Sequence, residues 1–317
     1  MRVVFMGSAP IAVPTMQYLY ETHELLAIVT QPDRPFGRKR EPRPTAVKAQ
    51  ALASNIPVHE PRKLRSSSFL DTVRALAPDV IVVMAYGRLV PPELLSLPPH
   101  GCINLHGSLL PRHRGPCPVE RAILEGDPES GITTFYMDEG FDTGDIILQQ
   151  PIAIAPDETA GSLREKLGRL AVDAIHTTLR AISTNTAPRV PQDLTAGNHA
   201  PIITREEAQI PWQWTAEAID RLVRACEPEP GAYTFFRNQL LKVRRVRAVN
   251  TSTDASPGTT VVASRTNGLH LAAGEGTVLA VEEVQPAGKR WMAAADFLSG
   301  YRIEAGECFL EMATSRP

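Results

Sequence analysis

The stretch Val80-Ile-Val-Val-Met84 decides the fold class of this chain. It is a short apolar run in which no polar residue alternates, a pattern typical of a parallel strand covered on both faces. Residues 2–7 and 25–30 are similar runs rich in Val and Ile, and residues 11–20 and 68–77 between such runs have helical spacing. Because strands and helices alternate along the chain, the sequence predicts a doubly wound, Rossmann-like α/β domain.

The second half of the chain has a different character. Residues 184–206 are rich in Thr, Asn, Pro and Ala without periodicity, which indicates a linker. Beyond them, short apolar runs are separated by turn signals such as Asn267-Gly268, and this favours an antiparallel, OB-like β-barrel. The apolar phase slips at Arg244-Arg245, which predicts a bulge. We therefore expect a catalytic domain over residues 1–183, a linker, and a smaller β domain over residues 207–317.

Composition restricts the possible function classes. The chain has 317 residues, 43% hydrophobic residues, 21% charged residues and a net charge of −2. A net charge this small gives no general attraction to nucleic acid or membranes. Binding to either would therefore need a local patch of positive charge. The four cysteines form no CxxC pair, which argues against a zinc site or a disulfide framework. The apolar start is too short for a signal peptide. We expect a cytoplasmic protein without membrane contact, and we expect a monomer.

Three polar residues form a candidate catalytic site. In Gly101-Cys-Ile-Asn-Leu-His-Gly-Ser-Leu-Leu-Pro-Arg-His-Arg-Gly115, Asn104 and His106 are two positions apart at the end of a predicted strand. Two such side chains share one face of the strand. Asp142 follows 36 residues after His106, in a glycine-bounded turn. A hydrogen-bond donor, an imidazole and a carboxylate suit acyl transfer, although polar residues that end a strand often bond only local backbone.

Other chemistries fit these residues less well. Asp142-Thr-Gly144 resembles an aspartic-protease element, but that chemistry needs two carboxylates and the chain has no second Asp-Thr-Gly. A metal site on His106 and Asp142, with His100 or His113 added, has no recognised ligand spacing, so we expect no metal. A dinucleotide site would have G-x-G-x-x-G after the first strand, but only its first glycine, Gly7, is present. The chain therefore lacks the sequence fingerprint of NAD or FAD binding.

Two basic stretches are candidate RNA contacts. One is a long loop over residues 31–44, whose length and proline content are unusual for a merely solvated surface. Its cations are Arg34, Arg38, Lys39, Arg40 and Arg43. The other stretch lies in the β domain and contains Lys242, Arg244, Arg245 and Arg247. Clustered Arg and Lys residues suit phosphate groups, so we predict RNA binding through these two patches.

The chain resembles the 10-formyltetrahydrofolate-dependent formyltransferases. The resemblance is strongest in the Asn104-Leu-His-Gly-Ser-Leu-Leu-Pro111 block, in residues 138–145 and in Ala85-Tyr-Gly87. Within this family, the basic loop and the C-terminal β domain resemble features of the enzymes that formylate methionine on initiator tRNA. The resemblance extends over nearly the whole length.

The resemblance implies roles for the candidate residues. It makes Asn104, His106 and Asp142 catalytic, and 10-formyltetrahydrofolate the co-substrate and formyl donor. It implies methionyl initiator tRNA as the acceptor. The folate-contacting turn falls on Ser108, Leu109, Leu110 and Pro111. The family's important tRNA-contacting arginine falls on Arg38. From the two basic patches we also predict tRNA contacts at Lys39, Arg40, Lys242, Arg244 and Arg245.

Three alternatives and some departures stay open. A sugar-nucleotide N-formyltransferase or a 10-formyltetrahydrofolate hydrolase would share the three catalytic residues, and a non-enzymatic RNA-binding module would explain the basic patches alone. The usual Arg-Gly-Ala-Ala-Pro reads Arg114-Gly-Pro-Cys-Pro118, so Pro116 and Cys117 are departures. A common Tyr-Ala-Pro-Lys reads His199-Ala-Pro-Ile202. The lost lysine bears on tRNA contacts, whereas the catalytic positions are unchanged.

Overall fold

The computed structural model describes residues 1–36 and 41–309, and its contacts divide the chain into two units. The first unit contains residues 1–118, 129–153 and 163–201. The second contains residues 119–128, 154–162 and the chain from residue 202 onward. Residues 184–201, part of the predicted linker, therefore group with the first unit, and the domain limits at residues 183 and 207 stay predictions.

The first half of the chain alternates strands and helices. In chain order the strands are β1 (Arg2–Gly7), β2 (Glu24–Val29), β3 (Arg34–Phe36), β4 (Glu41–Arg43), β5 (Val58–His59), β6 (Val80–Met84), β7 (Cys102–His106), β8 (Glu129–Tyr136) and β9 (Ile146–Ala153). The helices are α1 (Val13–Thr22), α2 (Ala46–Ala53), α3 (Ser67–Leu76), α4 (Pro92–Leu95), α5 (Pro118–Glu125) and α6 (Ala160–Ser183). The main sheet has the order β5-β2-β1-β6-β7-β8-β9.

The parallel part of this sheet confirms the doubly wound prediction. β1 pairs in parallel with β2 and β6, and β6 pairs in parallel with β7. All five residues of β6 are buried, as the unbroken apolar run predicts. Because side chains alternate between faces, Ile81 and Val83 join one core cluster with Met6 and with Phe69 of α3. Burying a side chain of this size contributes about 1.5–3 kcal/mol to the stability of the fold.

The last two strands run antiparallel, which the sequence analysis did not distinguish. β8 pairs antiparallel with β7 and with β9. Ile103 lies opposite Tyr136, so β8 ends beside the start of β7. The β8–β9 connection brings Asp142 within 3.3 Å of Asn104. It is tight at Gly144, where a Cβ atom would lie 1.7 Å from the carbonyl oxygen of Tyr136.

The predicted irregular loop after β2 is a β-hairpin, so the expectation of a loop without regular structure is wrong. Its two strands, β3 and β4, pair antiparallel with Arg34 opposite Arg43. Arg38, Lys39 and Arg40 lie outside the described residues. Near the hairpin, Lys48 Nζ lies 2.8 Å from both Asp33 Oδ1 and Glu60 Oε2. The hydrogen bond to Asp33, followed by that to Glu60, raises the pKa of Lys48, so the amine stays charged.

The second unit confirms the predicted antiparallel β domain. Its strands are β10 (Tyr233–Phe236), β11 (Gln239–Ser252), β12 (Thr260–Ser264), β13 (Gly268–Ala272), β14 (Thr277–Pro286) and β15 (Met292–Ala293), and its helices are α7 (Ala216–Ala225) and α8 (Ala294–Gly300). The sheet order is β10-β11-β14-β13-β12, with β15 on β14. The β11–β14 register shifts on both sides of Arg245, which confirms the bulge.

A glycine-to-alanine change tests the packing of the β8–β9 pair. A Cβ atom at Gly131 would lie 2.3 Å from the carbonyl oxygen of Gln150 and 2.5 Å from Leu109 Cδ2. Since the backbone must shift to admit it, Gly131→Ala is expected to lower the free energy of unfolding by about 1–3 kcal/mol, measured by urea titration. Gly300→Ala is the control because no heavy atom lies within 4 Å of its Cβ position. Equal stabilities of the two variants would contradict this packing.

Candidate active site

The three predicted catalytic residues meet in the first unit. Asn104 and His106 project from β7, and Asp142 comes from the β8–β9 connection. Asn104 Nδ2 lies 3.3 Å from Asp142 Oδ1, and His106 Nδ1 lies 3.5 Å from Asp142 Oδ2. The His106 and Asp142 side chains are only 7% and 16% exposed. The structure thus places an amide, an imidazole and a carboxylate in one partly buried group.

The contacts of His106 indicate which nitrogen carries a proton. Its Nε2 lies 2.8 Å from the carbonyl oxygen of His113, which can only accept, so Nε2–H is the donor. Nδ1 faces the Asp142 carboxylate, which is an acceptor when ionised. With Nε2 bonded to the His113 carbonyl, Nδ1 is the ring nitrogen that faces Asp142 and can meet a ligand.

The Asp142 carboxylate is held from several sides. The backbone N–H of Gly115 donates to its Oδ2 at 2.9 Å, and Asn104 donates to its Oδ1. Its backbone has a φ of 55°, in the left-handed region that aspartate tolerates better than most residues. Its carbonyl oxygen accepts from Gln192 Nε2 at 3.0 Å. These bonds fix the direction of the carboxylate and the backbone that carries it.

The Asn104 amide can also serve a ligand. It carries two N–H donors, and only one is directed at Asp142. The second N–H can donate to a carbonyl oxygen of a ligand that approaches the same group of side chains. A fixed donor near a carbonyl stabilises the negative charge that develops when the carbonyl is attacked. The donor set therefore fits acyl transfer.

Several backbone groups of the predicted folate turn form hydrogen bonds with neighbouring side chains of the protein. Thr133 Oγ1 donates to the Ser108 carbonyl oxygen at 2.6 Å and accepts from the Leu110 N–H at 3.1 Å. Gln149 Nε2 donates to the Leu110 carbonyl oxygen at 2.7 Å. Ser108 and Leu110 are buried, whereas Leu109 and Pro111 are partly exposed. The turn therefore offers a ligand mostly the surface of Leu109 and Pro111.

The predicted tRNA contacts of the β domain are partly neutralised. Arg244 Nε donates to Glu283 Oε2 at 2.8 Å, and Arg245 Nη1 lies 3.3 Å from Glu283 Oε1. The Arg244 guanidinium also lies over the Trp291 ring, 4.7 Å from its centroid. Lys242 Nζ lies 3.5 Å from the carbonyl oxygen of Pro230. Arg244 and Arg245 thus share the Glu283 carboxylate of the neighbouring strand, so the patch has less net charge than its sequence indicates.

A further cationic surface lies in the first unit. Arg62, Lys63, Arg65 and Arg88 line a surface pocket together with apolar residues. Arg88 Nη1 donates to the carbonyl oxygens of Pro61 and Arg62 at 3.1 and 3.2 Å. The sequence analysis did not identify this group, although three cations within residues 62–65 were a visible signal.

Gln192 and Asn198 are contacts of the candidate site that sequence reasoning missed. Gln192 bonds to the Asp142 backbone, and Asn198 Oδ1 accepts from the His113 N–H at 2.6 Å. Both residues lie in the stretch interpreted as a linker. No periodicity or motif distinguishes them, because their partners are 50 and 85 residues away in sequence.

Comparison with protein families gives matches in both halves of the chain. Residues 1–179 match the family described as formyl transferase, and residues 202–302 match the formyl transferase C-terminal domain. A protein of Pelotomaculum thermopropionicum named methionyl-tRNA formyltransferase is 44% identical over 308 residues, covering 96% of this chain and 97% of its own. A protein of the same name from Myxococcus xanthus is 43% identical over 305 residues, covering 96% of each chain.

Solved structures share the fold at low sequence identity. HypX from Aquifex aeolicus, in complex with tetrahydrofolic acid, superposes with a TM-score of 0.62 at 16% identity, covering 97% of this chain but only 48% of HypX. An N-formyltransferase from Helicobacter canadensis, in complex with folinic acid and dTDP-3-aminofucose, gives a TM-score of 0.62 at 17% identity, covering 90% and 99% of the two chains. At this identity the likeness concerns the fold alone.

Proposed function

This chain belongs to the formyl transferase family, among the methionyl-tRNA formyltransferases, and on that premise we propose that it formylates methionyl initiator tRNA. The formyl donor is 10-formyltetrahydrofolate, and the acceptor is the α-amine of the esterified methionine. The observation that carries the proposal is the convergence of Asn104, His106 and Asp142. It is supported by relatives of that name at 44% and 43% identity over 96% of the chain.

The side chains have separate parts in this reaction. 10-Formyltetrahydrofolate supplies an activated formyl group, whose oxygen gains negative charge when the amine attacks the carbon. Asn104 donates to that oxygen through its second N–H, and His106 donates through Nδ1. One donor of this kind typically contributes about 10²–10³ in rate.

Asp142 handles the proton balance. The amine loses one proton as its new C–N bond forms, and N10 of the folate gains one as its bond to the formyl carbon breaks. The Asp142 carboxylate accepts the amine proton, directly or through water, and the same proton then passes to N10. The carboxylate also stabilises the charged His106. General acid–base help of this kind contributes about 10²–10⁴ in rate.

The folate would contact the turn formed by Ser108, Leu109, Leu110 and Pro111. Because the Ser108 and Leu110 backbone groups bond to Thr133 and Gln149, we propose that the partly exposed Leu109 and Pro111 pack against the ring system. The bonds to Thr133 and Gln149 fix the shape of the turn. We propose that no metal takes part, because the formyl group of the folate is already activated for attack by the amine.

The tRNA would be held by the basic hairpin and by β11. In the hairpin, the proposed tRNA contacts are Arg38, Lys39 and Arg40. In β11, they are Lys242, Arg244 and Arg245.

Within the described ranges, no helix is both long and apolar enough to cross a lipid bilayer. A monomer in the cytoplasm remains our expectation.

An acceptor assay tests the function. The protein is incubated with formyl-labelled 10-formyltetrahydrofolate and one of four acceptors, namely methionyl initiator tRNA, uncharged initiator tRNA, a dTDP-amino sugar or water alone. We expect label only on the charged tRNA. Label on the amino sugar would favour the sugar-nucleotide enzyme, and formate release without an acceptor would favour the hydrolase. No folate turnover at all would leave only a binding module.

A change at Arg38 tests the proposed role of the hairpin. Arg38→Ala removes a cation that would contact a tRNA phosphate, and a hydrogen bond to a charged group contributes about 1.5–3 kcal/mol. We therefore expect the KM for tRNA to rise about 10–100-fold while the KM for the folate changes little. The control is Arg169→Ala, which removes an exposed cation from α6. Equal changes in both KM values would contradict the tRNA role of Arg38.

A further inference from the structure

We infer that residues 190–200, hereafter the positioning segment, orient the catalytic groups, with Gln192 and Asn198 as positioning residues for Asp142 and His106. This inference rests on the proposed function, since it concerns how the same three side chains are held. The segment belongs to the same unit as the catalytic residues.

Gln192 fixes the backbone that carries Asp142. Its Nε2 donates to the carbonyl oxygens of Asp142 at 3.0 Å and Gly144 at 2.8 Å. One nitrogen thus binds two carbonyls two residues apart and closes the turn that presents the carboxylate. Val190 and Ile146 exchange two backbone hydrogen bonds, of 2.8 and 3.0 Å, which anchors Gln192 two positions further on. Loss of the Gln192 amide would free a turn that holds Asp142 at positive φ.

Asn198 fixes the group that holds His106. Its Oδ1 accepts from the backbone N–H of His113 at 2.6 Å, and its Nδ2 lies 3.3 Å from His113 Nδ1. The carbonyl oxygen of His113 in turn accepts from His106 Nε2 at 2.8 Å. His113 is only 2% exposed and has a φ of 55°. Asn198 therefore sets the position of the His113 carbonyl oxygen, the acceptor that requires a proton on His106 Nε2.

The same segment places the donor that reaches Asp142. Arg114 N–H donates to the Asn198 carbonyl oxygen at 3.1 Å, and its carbonyl oxygen accepts from Ala200 N–H at 2.7 Å. Gly115, next in the chain, donates to Asp142 Oδ2. A Cβ atom at Gly115 would lie 2.9 Å from His199 Nε2, so the two stretches approach closely. Both His106 and Asp142 thus bond to backbone groups that the positioning segment holds.

The segment also offers a matched control. Asp193 and Thr195 lie between the two positioning residues, are exposed, and bond to each other at 2.6 Å. Thr195→Ala changes the segment without removing a contact to Asp142, His113 or Arg114. An effect confined to Gln192 and Asn198 would therefore separate positioning from general support of the segment.

Steady-state kinetics of four variants test the inference. Gln192→Met and Asn198→Leu remove the polar groups at similar size, and we expect kcat to fall about 10–100-fold, as for other residues that orient functional side chains. The KM values for folate and tRNA should stay within about threefold, because neither residue is proposed to touch a substrate. Asn198→Asp retains the acceptor for the His113 N–H and should keep kcat within about fivefold of wild type. Thr195→Ala should match wild type.

A spectroscopic readout keeps the inference separate from the proposed function. Nitrogen-15 shifts of the His106 imidazole report the hydrogen bonding of each ring nitrogen, and we expect a hydrogen-bonded Nε2–H in wild type and an altered Nε2 shift in Asn198→Leu. If wild type formylates no charged tRNA, the proposed function fails and these shifts alone decide: unchanged shifts overturn the inference and altered shifts support it. If wild type is active, wild-type kcat in Asn198→Leu and Gln192→Met overturns it. A loss of activity matched by loss of folded protein, with Asn198→Asp no better, also overturns it.

Discussion

Replacing Asp142 with asparagine is expected to lower kcat by about 10²–10⁴. Asparagine has nearly the same shape and can still accept the Gly115 N–H, so the local fold should persist. It cannot take the amine proton, and it removes the negative charge that faces His106 Nδ1 at 3.5 Å. Single-turnover formylation of methionyl initiator tRNA, at saturating folate, measures the chemical step directly.

Two controls sharpen this result. Asp173→Asn makes the same substitution at an exposed position on α6 and should leave turnover unchanged. The melting temperature of Asp142→Asn should stay close to that of wild type, so that lost turnover reports chemistry. Near-normal turnover in Asp142→Asn would remove the role assigned to the carboxylate.

Replacing Asn104 with alanine is expected to lower kcat by about 10²–10³, the usual effect of losing one donor to a developing oxyanion. The change also removes the 3.3 Å contact with Asp142 Oδ1. Asn104→Asp is the companion variant because it keeps the size but lacks both N–H donors. It should be at least as slow, since its carboxylate would also face that of Asp142.

Kinetic constants separate this effect from weaker binding. We expect the folate KM of Asn104→Ala to stay within about threefold while kcat falls, as for an interaction made mainly in the transition state. Wild-type rates in Asn104→Asp would show that the amide hydrogens are not used. A rise in folate KM with unchanged kcat would instead make Asn104 a binding residue.

The elements that were predicted best are those with a strong local signal. β6 has the expected bounds because Val80–Met84 is an unbroken apolar run. β7 ends at His106 as expected, and it lies between Gly101 and Gly107. The β3–β4 hairpin was missed because Pro35 and Pro42 lie within its strands and proline argues against an interior strand. A two-stranded ribbon has only edges, where proline is tolerated.

The direction of β8 and β9 was not distinguished, although part of it was available from the sequence. Residues 137–145 between them are too few for a crossover helix, and parallel neighbours need a connection of about a dozen residues or more. The β7–β8 pair is harder, because α5 lies between the two strands as in a parallel unit. Only the long-range register, with His106 opposite Thr133, gives the direction.

The candidate site was predicted in composition but not in its detailed contacts. Asn104 and His106 follow from strand periodicity, Asp142 was a candidate because it lies in a glycine-bounded turn, and the resemblance supplied their roles. The proton on His106 Nε2 depends on the His113 carbonyl, whose direction depends on Asn198, 85 residues further along the chain. Such contacts arise from tertiary folding and leave no local pattern in the sequence.

The carboxylate of Glu283, which both Arg244 and Arg245 approach, has a consequence for how an RNA would respond to ionic strength. Affinity for a polyanion decreases with salt in proportion to the counterions that binding releases. A guanidinium that already has a protein anion beside it adds little to that release. The steepness of the salt dependence should therefore be smaller than the number of cations on this strand implies.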